Sequence, residues 1–293
     1  MQGKSDKNLT NPSEIKEILA RYGFNFSKSL GQNFIINDAI CPRMAEKCGA
    51  DDNTGVLEIG PGIGVLTKEL ARRSKKVVSI ELDSKLLPIL EETLGAFDNV
   101  EIVFGDAMKI DLAALIEDKF SDCERVVVCA NLPYYITSPL IMKMLESRLP
   151  IDSVTVMIQK EAAVRMSAKL GSRESGAVTL SVWYHSTPAI VFNVSRGSFM
   201  PAPNVDSTVI TFDLKQSSGV NVADEALMFR LIKSAFNQRR KTLSNSLQGA
   251  NLSKEQIAAA LDVCGISTTS RAEQLSLEQW AKIANTVKKL FFS

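Results

Sequence analysis

The residues with the clearest chemical potential form one tetrapeptide, Asn131-Leu132-Pro133-Tyr134, at the end of a predicted strand. The side-chain carbonyl of Asn131 and the backbone carbonyl before or at Pro133 could each accept one N–H of an amino group on an aromatic ring. Two such bonds would direct the nitrogen lone pair at an electrophile by positioning, without a strong base. Tyr134 offers a face for base stacking, worth about 1–3 kcal/mol. The pattern indicates methylation of an adenine amino group, although Asn and Pro are also common in a plain turn.

A second set of residues is typical of a nucleoside site. Gly60 opens the glycine-rich turn after the first predicted strand, Glu81 ends the next strand, and Asp106 follows the third. Ligands of open α/β sheets bind at the carboxyl ends of the strands. Glu81 could accept both hydroxyls of a ribose, and Asp106 could accept a cofactor's adenine amine or simply cap its own turn. The turn is Gly-Pro-Gly-Ile-Gly, not the G-x-G-x-x-G of NAD sites, which favours a nucleoside cofactor.

The elements that would position these residues alternate along the chain. Continuous apolar runs separated by helical patterns predict an α/β fold with a mostly parallel seven-stranded sheet and an antiparallel edge. The predicted strands are 56–59, 76–81, 100–104, 125–130, 154–158, 189–194 and 208–214. Only helical spacing follows, at 224–236, 241–248, 253–264 and 276–290. We therefore predict a Rossmann-like catalytic domain over 1–214, with 1–11 disordered, and a small all-helical domain over 215–293.

Composition excludes several classes of protein. The chain has five cysteines and no C-x-x-C pair, which argues against a zinc site and a disulfide framework. It has a single histidine, His185, which argues against a histidine-based triad. No metal is expected. The first residues are polar and lack the apolar segment of a signal peptide, and no apolar run is long enough for a bilayer, so a cytoplasmic protein without a membrane partner is expected. The net charge of +1 hides an asymmetry, because residues 190–293 hold 12 Lys and Arg against 8 Asp and Glu.

Four more motifs complete the pattern. They are Gly31-Gln32-Asn33-Phe34-Ile35, Gln159-Lys160-Glu161, Phe199-x-Pro201-x-Pro203-x-Val205-Asp206-Ser207 and Gln238-Arg239-Arg240-Lys241-Thr242-Leu243. In this order, over nearly the whole chain, the set resembles the small-subunit (16S) ribosomal RNA adenine-N6 dimethyltransferases. Ile35 stands where leucine is commoner in that family. Large-subunit relatives usually carry isoleucine in place of Leu132, so the leucine favours the small-subunit branch.

The resemblance implies a Rossmann-like methyltransferase fold, S-adenosyl-L-methionine as cofactor and 16S rRNA in the immature small ribosomal subunit as partner. It implies two methyl transfers to each of two adjacent adenosines near the 3′ end of that RNA. The implied cofactor residues are Asn33, Ile35, Gly60, Glu81, Asp106 and Asn131, and the implied catalytic residues are Asn131, Leu132, Pro133 and Tyr134.

Basic residues of the tail are candidates for holding the RNA. Arg239, Arg240 and Lys241 lie in a stretch without acids, and we predict that they contact phosphates, although charge clusters are commonly only solvated faces. Lys160 and Arg165 are predicted to extend the RNA-binding surface along the mouth of the catalytic site. The segment 199–207 is either a loop over the target base or a rigid connector. The loop around Lys28 and Gln32 is expected to become ordered when ligands bind.

Three other classes compete with this interpretation. A DNA adenine methyltransferase would place an acid at the position of Asn131. A non-catalytic ribosome-assembly factor would not need the intact tetrapeptide and cofactor acids. An NAD oxidoreductase would need a different glycine spacing. A monomer is the expected oligomeric state.

Overall fold

The computed structural model describes residues 8–27, 31–215 and 218–292. The strands are β1 (Phe34–Ile35), β2 (Thr54–Ile59), β3 (Lys76–Glu81), β4 (Val100–Phe104), β5 (Arg125–Asn131), β6 (Ser153–Gln159), β7 (Thr187–Val194), β8 (Phe199–Met200) and β9 (Ser207–Asp213). The α-helices are α1 (Pro12–Arg21), α2 (Ile40–Lys47), α3 (Val65–Ala71), α4 (Leu87–Leu94), α5 (Leu112–Lys119), α6 (Thr137–Glu146), α7 (Lys160–Met166), α8 (Ala177–His185), α9 (Glu225–Asn237), α10 (Leu243–Ser246), α11 (Lys254–Cys264) and α12 (Leu277–Phe291). None of the described helices is long and apolar enough to cross a membrane.

A seven-stranded sheet in the order β4-β3-β2-β5-β6-β9-β7 confirms the predicted fold class. β2 pairs in parallel with both β3 and β5, and β6 continues in parallel from β5. β9 runs antiparallel to β6, as predicted for the edge. The seven predicted strands agree with the observed ones to within two residues at each end. Continuous apolar runs made this possible, because every residue of β2 is buried.

The strand order reverses beside β2. The chain passes from β2 to β3 and β4 on one side, and later returns to place β5 on the other side. Connections that leave in opposite directions open a crevice at the carboxyl ends of the two central strands, where ligands of α/β sheets bind. The glycine-rich turn follows β2, and the tetrapeptide begins with the last residue of β5.

A short two-stranded sheet joins two distant motifs. Phe34 of β1 is opposite Met200 of β8, and Ile35 is opposite Phe199. Two-residue strands leave no periodic signal, so sequence patterns did not predict this pairing. The N-terminal motif and the motif that begins at Phe199 therefore approach each other through backbone pairing.

The N-terminal prediction needs one correction. Residues 1–7 of the segment predicted to be disordered lie outside the described residues. Leu9, however, is buried against α1, and the side chain of Asn11 caps this helix by accepting the N–H of Ser13. An N-cap asparagine followed by Pro12 at the first turn is a normal helix start. The prediction of disorder is therefore wrong for residues 8–11.

The chain divides into two compact units at boundaries that differ from the predicted one. The first comprises the described parts of Met1–Ala163 and Ala189–Lys215, and the second those of Val164–Pro188 and Gln216–Ser293. The predicted boundary at 214 and 215 missed the segment Val164–Pro188. Leu180 of α8 shares a core with Leu231 and the fully buried Trp280 of the tail helices. Apolar content alone does not show which of two cores a helix joins.

Capping residues delimit the helices of the second unit. Ser253 and Gln256 form a reciprocal capping box at the start of α11, and Ser276 and Gln279 do the same for α12. Each box satisfies two backbone donors that a helix start would leave open. These local signals explain why the tail helices were predictable individually.

Candidate active site

The glycine-rich turn after β2 requires left-handed backbone. Gly60 and Gly62 have φ of +72° and +61°, which side chains rarely adopt. A Cβ at Gly62 would lie 3.3 Å from the ring of Phe34, whereas one at Gly60 would meet only the Cδ of Pro133, at 4.0 Å. The turn thus packs tightly against the N-terminal motif on one side. At Gly60 the backbone of the turn faces free space beside the tetrapeptide.

Glu81 ends β3 as a buried carboxyl group, with 6% of its surface exposed. Its Oε1 accepts the backbone N–H of Asp83 at 2.7 Å. Burial raises the pKa of Glu81 to about 7, against the opposing effect of backbone N–H groups at Asp83, Leu82 and Gly62. A desolvated carboxyl group at the end of a strand, with backbone donors on one side, is suited to accept hydroxyl donors from a ligand.

A second buried acid supports this edge of the sheet. Glu58 accepts hydrogen bonds from Thr67 at 2.7 Å and from Ser79 at 2.6 Å. Burial raises the pKa of Glu58 to about 7, and the charge of Glu81 adds to the shift. Glu58 was not singled out from the sequence, because an acid inside an apolar strand does not reveal its partners. It links β2 to β3 and α3 beneath the glycine-rich turn.

Asp106 follows β4 and lines the same pocket as Glu81. Its Oδ1 accepts the N–H of Met108 at 2.9 Å, which is the capping contact considered from the sequence. Its Oδ2 lies 3.8 Å from the ammonium of the exposed Lys109. The capping and the ligand-binding interpretations are therefore compatible, since they use different oxygens.

The loop after Asp106 is held by Lys143 of α6. The ammonium group donates to the carbonyl oxygens of Ala107 at 3.0 Å, Met108 at 3.0 Å and Ile110 at 2.8 Å. Three donors meet three acceptors, which is the full capacity of an ammonium ion. Sequence reasoning missed Lys143, because a lysine in an amphipathic helix has no signal that distinguishes it from a solvated one.

The tetrapeptide is fixed by hydrogen bonds at both ends. The amide nitrogen of Asn131 donates to the carbonyl of Asn33 at 3.5 Å, so its oxygen remains an acceptor. The carbonyl of Pro133 accepts the N–H of Ile136 at 3.3 Å and the hydroxyl of Thr137 at 3.0 Å. Of the two backbone carbonyls that the sequence left open, the one at Pro133 is thus already used, whereas that of Leu132 accepts no hydrogen bond from the part of the chain that the structure describes.

Tyr134 is half-buried and its hydroxyl lies 2.7 Å from that of Ser207. Burial raises the pKa of Tyr134, and the charge of Asp206 acts in the same direction. The phenol is therefore protonated at neutral pH. The neighbouring Tyr135 is exposed and packs beside Gly31.

The N-terminal motif covers one side of the pocket. The amide nitrogen of Gln32 donates to a carboxylate oxygen of Asp83 at 2.8 Å, while its oxygen accepts the N–H of Ser27 at 2.9 Å. The side chain of Asn33 donates to the carbonyl of Gly31 at 3.0 Å. The predicted ordering of the loop around Lys28 remains a prediction, and Lys28 lies outside the described residues.

One pocket brings together all the predicted cofactor and catalytic residues. Its lining includes Asn33, Ile35, Gly60, Glu81, Asp106, Asn131, Leu132, Pro133 and Tyr134. Phe199, which lies opposite Ile35 in the short sheet, also contributes to the wall. Over the described ranges, no cluster of three His, Cys, Asp or Glu side chains could hold a metal ion.

Comparisons with known proteins identify the family. The model of the family described as ribosomal RNA adenine dimethylase matches residues 23–289. The chain belongs to this ribosomal RNA adenine dimethylase family. It is 48% identical to ribosomal RNA small subunit methyltransferase A from Geobacillus thermodenitrificans, over 97% of this chain and 99% of the relative.

Solved structures agree with this assignment. A dimethyladenosine transferase from Plasmodium falciparum superposes with a TM-score of 0.71 at 27% identity, over 85% of this chain and 95% of that chain. The 23S rRNA methyltransferase ErmE superposes with a TM-score of 0.65 at 25% identity, over 87% and 99%. The resemblance inferred from the motifs is confirmed, and the chain is a methyltransferase acting on adenine in ribosomal RNA.

In this dimethylase the predicted RNA-binding residues differ in their surroundings. Arg239 donates to the backbone carbonyls of Arg173 and, at 3.0 Å, Ser175, and so holds the turn before α8. Arg240 and Lys241 are exposed. The sequence did not predict the internal contacts of Arg239, because they depend on a turn more than sixty residues away in the chain.

The other two predicted RNA-binding residues lie on α7 and are exposed. The backbone N–H of Lys160, in the first unit, donates to the carbonyl of Asp206 at 3.0 Å. The carbonyl of Arg165, in the second unit, accepts the hydroxyl of Thr179 at 2.8 Å. These contacts fix the backbone at both residues.

Proposed function

We propose that this dimethylase transfers methyl groups from S-adenosyl-L-methionine to the N6 atoms of two adjacent adenosines near the 3′ end of 16S rRNA. The observation that supports the proposal best is the position of the tetrapeptide. Two acceptors with remaining capacity, the Asn131 side chain and the Leu132 carbonyl, occur in the same pocket as the buried carboxyl group of Glu81. This combination suits a site that holds a nucleoside cofactor and an aromatic amine together.

The residues present fit the proposed cofactor. Glu81 would accept the ribose hydroxyls, and the Oδ2 of Asp106 would accept the amino group of the cofactor's adenine. Gly60 allows close approach of the backbone, since a side chain there would find only one atom, at 4.0 Å. Asn33 and Ile35 would form the remaining wall. When bound, the cofactor supplies the methyl group on a sulfonium centre, ready for in-line transfer.

The chain's own part in the chemistry is to orient the target amine. The oxygens of Asn131 and Leu132 would accept the two N–H groups of N6 and hold them out of the ring plane. The lone pair, otherwise delocalised into the ring, would then point along the line of attack. After transfer the nitrogen releases one proton to solvent, so no strong base is required. A second transfer begins from an amine with a single N–H, and then only one of the two acceptors is used.

We propose that the RNA is held by Arg240 and Lys241, together with Arg239, Lys160 and Arg165. Exposed cations that neutralise phosphates release counterions, which gives binding a strong dependence on salt. The excess of basic residues over 190–293 supports this assignment. A substrate in the assembling bacterial subunit would place the enzyme in the cytoplasm. A monomeric state remains a prediction.

One experiment tests the proposed function and also distinguishes it from two alternatives. Immature small subunits lacking these methyl groups are incubated with the enzyme and labelled S-adenosylmethionine, and the labelled nucleotides are mapped. We expect label on two adjacent adenosines, as N6-dimethyladenosine. Label on DNA or on another rRNA position would indicate a different adenine methyltransferase. Binding to subunits without any label would indicate an assembly factor that has lost catalysis.

A further inference from the structure

We propose that Ser207 is a positioning residue that fixes the position of the Tyr134 ring for methyl transfer. The inference rests on the proposed function, in which the target adenine stacks on Tyr134. The hydroxyl of Ser207 lies 2.7 Å from the phenolic oxygen, and Ser207 is fully buried. No role for Ser207 follows from the tetrapeptide motif alone, because the two residues are far apart in the chain.

The position of Ser207 is fixed by the sheet. Ser207 is the first residue of β9, and the antiparallel ladder with β6 runs from Ser153 opposite Asp213 to Gln159 opposite Ser207. Just before it, the carboxylate of Asp206 accepts the backbone N–H of Arg196 at 3.0 Å. The Ser207 hydroxyl is therefore attached to a rigid strand rather than to a mobile loop.

Tyr134 needs such an anchor, because its own backbone position is a turn. A tyrosine ring can adopt several staggered rotamers, and the ring is only half-buried here. A hydrogen bond at the far end of the side chain restrains the direction in which the ring points and so selects one rotamer. Both hydroxyl groups are protonated, and either can donate the hydrogen bond between them. The ring then offers its face to a ligand, while its hydroxyl is already used.

The same observation accounts for a motif whose role the sequence left open. The segment 199–207 places Phe199 in the pocket wall at one end and Ser207 against Tyr134 at the other. Between them, Pro201, Ala202 and Val205 are exposed. The contact that this segment is shown to make with the tetrapeptide is therefore the one at Ser207. Of the two interpretations, this favours a rigid connector.

The consequence for catalysis is geometric. If the base stacks on Tyr134, displacing the ring displaces the target amine from the line of attack, whereas the cofactor contacts at Glu81 and Asp106 are unaffected. Loss of Ser207 should therefore lower kcat without changing KM for S-adenosylmethionine. Because misalignment matters at both transfers, the ratio of monomethylated to dimethylated adenosine should also rise.

The test is a double-mutant cycle with Ser207→Ala and Tyr134→Phe, which keep the fold and the stacking ring but remove the hydroxyl pair. Each single variant should lower kcat roughly 3- to 10-fold, the equivalent of one hydrogen bond. If the pair acts as a unit, the double variant should be no slower than the slower single variant. Thr208→Val is the matched control. Its buried hydroxyl donates to Asn193 at 2.8 Å, and we expect unchanged kcat whatever the change in Tm.

Additive losses in the double variant, or an unchanged kcat in Tyr134→Phe, would overturn the proposal. Tyr134→Phe decides the matter even if Ser207→Ala folds poorly, since it leaves the buried serine in place. Failure of the proposed function would be recognised separately. In that case the unmodified enzyme would label no adenosine, and the cycle would have no activity to compare.

Discussion

Charged side chains are proposed to bind ligands in two regions of the molecule. One region is the pocket at the carboxyl ends of the strands, and the other is the segment Arg239–Lys241 of the helical unit. In the pocket, Glu81 ends β3 and Asp106 comes shortly after β4, so the backbone determines where their carboxylates lie. In the basic segment, Arg239 donates to protein carbonyls while Arg240 and Lys241 are exposed. Motif spacing therefore predicts where the carboxylates of the pocket lie. For the basic segment it predicts only that the residues are charged, not what their side chains contact.

The largest effect expected is the loss of catalysis in Asn131→Ala. Removing one preorganised acceptor should raise the barrier by about 2.7–4 kcal/mol, or roughly 10²- to 10³-fold in kcat. Cofactor affinity should fall much less, since among the described residues the one hydrogen bond of the Asn131 side chain is to the carbonyl of Asn33, at 3.5 Å. Single-turnover rates and calorimetry measure the two quantities. Near-normal turnover would contradict the assigned role of Asn131.

The next effect is on cofactor affinity in Glu81→Ala. Two lost charge-assisted hydrogen bonds, each worth about 1.5–3 kcal/mol, should weaken binding at least tenfold and leave the fold intact. Glu58→Gln is a suitable control, because Glu58 is a second buried acid of the same pocket whose side chain, among the described residues, accepts from Thr67 and Ser79. Unchanged affinity in Glu81→Ala would move the ribose contact elsewhere. Asp83 is then a poor candidate, since its carboxylate already accepts from Gln32 and Lys85.

A smaller effect is the dependence of cofactor binding on pH. With the pKa of Glu81 raised to about 7, protonation competes with the ribose hydroxyls, and affinity at pH 6 should be roughly tenfold below that at pH 8. Titration calorimetry over this range measures it, and Glu81→Gln should abolish the dependence. A flat profile in the unmodified enzyme would show that the carboxylate stays charged.

The raised pKa of Glu81 also affects the stability of the protein without cofactor. A rise in pH should strengthen cofactor binding but lower the free energy of unfolding. The folded chain binds the proton of Glu81 more tightly than the unfolded chain, so the free energy of unfolding should fall as pH rises from about 4.5 through about 7. Glu58 contributes in the same direction. Denaturant titrations at several pH values should show a shallower decline in Glu81→Gln.

The smallest effect expected is in RNA binding by the basic segment. Replacing Arg240 and Lys241 with Gln should flatten the slope of log affinity against log salt by about 1.4–1.8, or 0.7–0.9 for each phosphate contact. Cofactor affinity should not change. Arg239→Gln should instead release the turn at Arg173 and make it a site of tryptic cleavage. An unaltered slope in the double variant would place the RNA contacts elsewhere, for instance at Lys160 and Arg165.

The fold was predictable where a single element carries its own signal. Apolar runs predicted the seven strands, and capping residues such as Ser253 and Ser276 delimited the tail helices. The boundary at 214 and 215 failed because α8 joins the core around Trp280, a contact that depends on tertiary packing. The two-residue pairing of Ile35 with Phe199 is too short to leave a periodic pattern.

The pocket was predictable for residues that belong to motifs and unpredictable for residues that support them. The turn at Gly60 and the tetrapeptide were found by spacing, and all their predicted partners line one pocket. Lys143 and Glu58 were missed, since their function depends on atoms contributed by other elements. The sequence shows which residues a ligand would meet more readily than which residues hold those in place.

The contact between Gln32 and Asp83 couples the N-terminal motif to the proposed cofactor site. The backbone N–H of Asp83 is bonded to Glu81, and its carboxylate is bonded to Gln32, so the proposed ribose site and the N-terminal motif share one residue. Thermodynamic reciprocity then applies. If closure of the motif strengthens cofactor binding by some factor, cofactor binding must favour closure by the same factor. Amide hydrogen exchange at Gly31 and Asn33 should therefore slow on adding S-adenosylmethionine, and this protection should diminish when Gln32 is replaced.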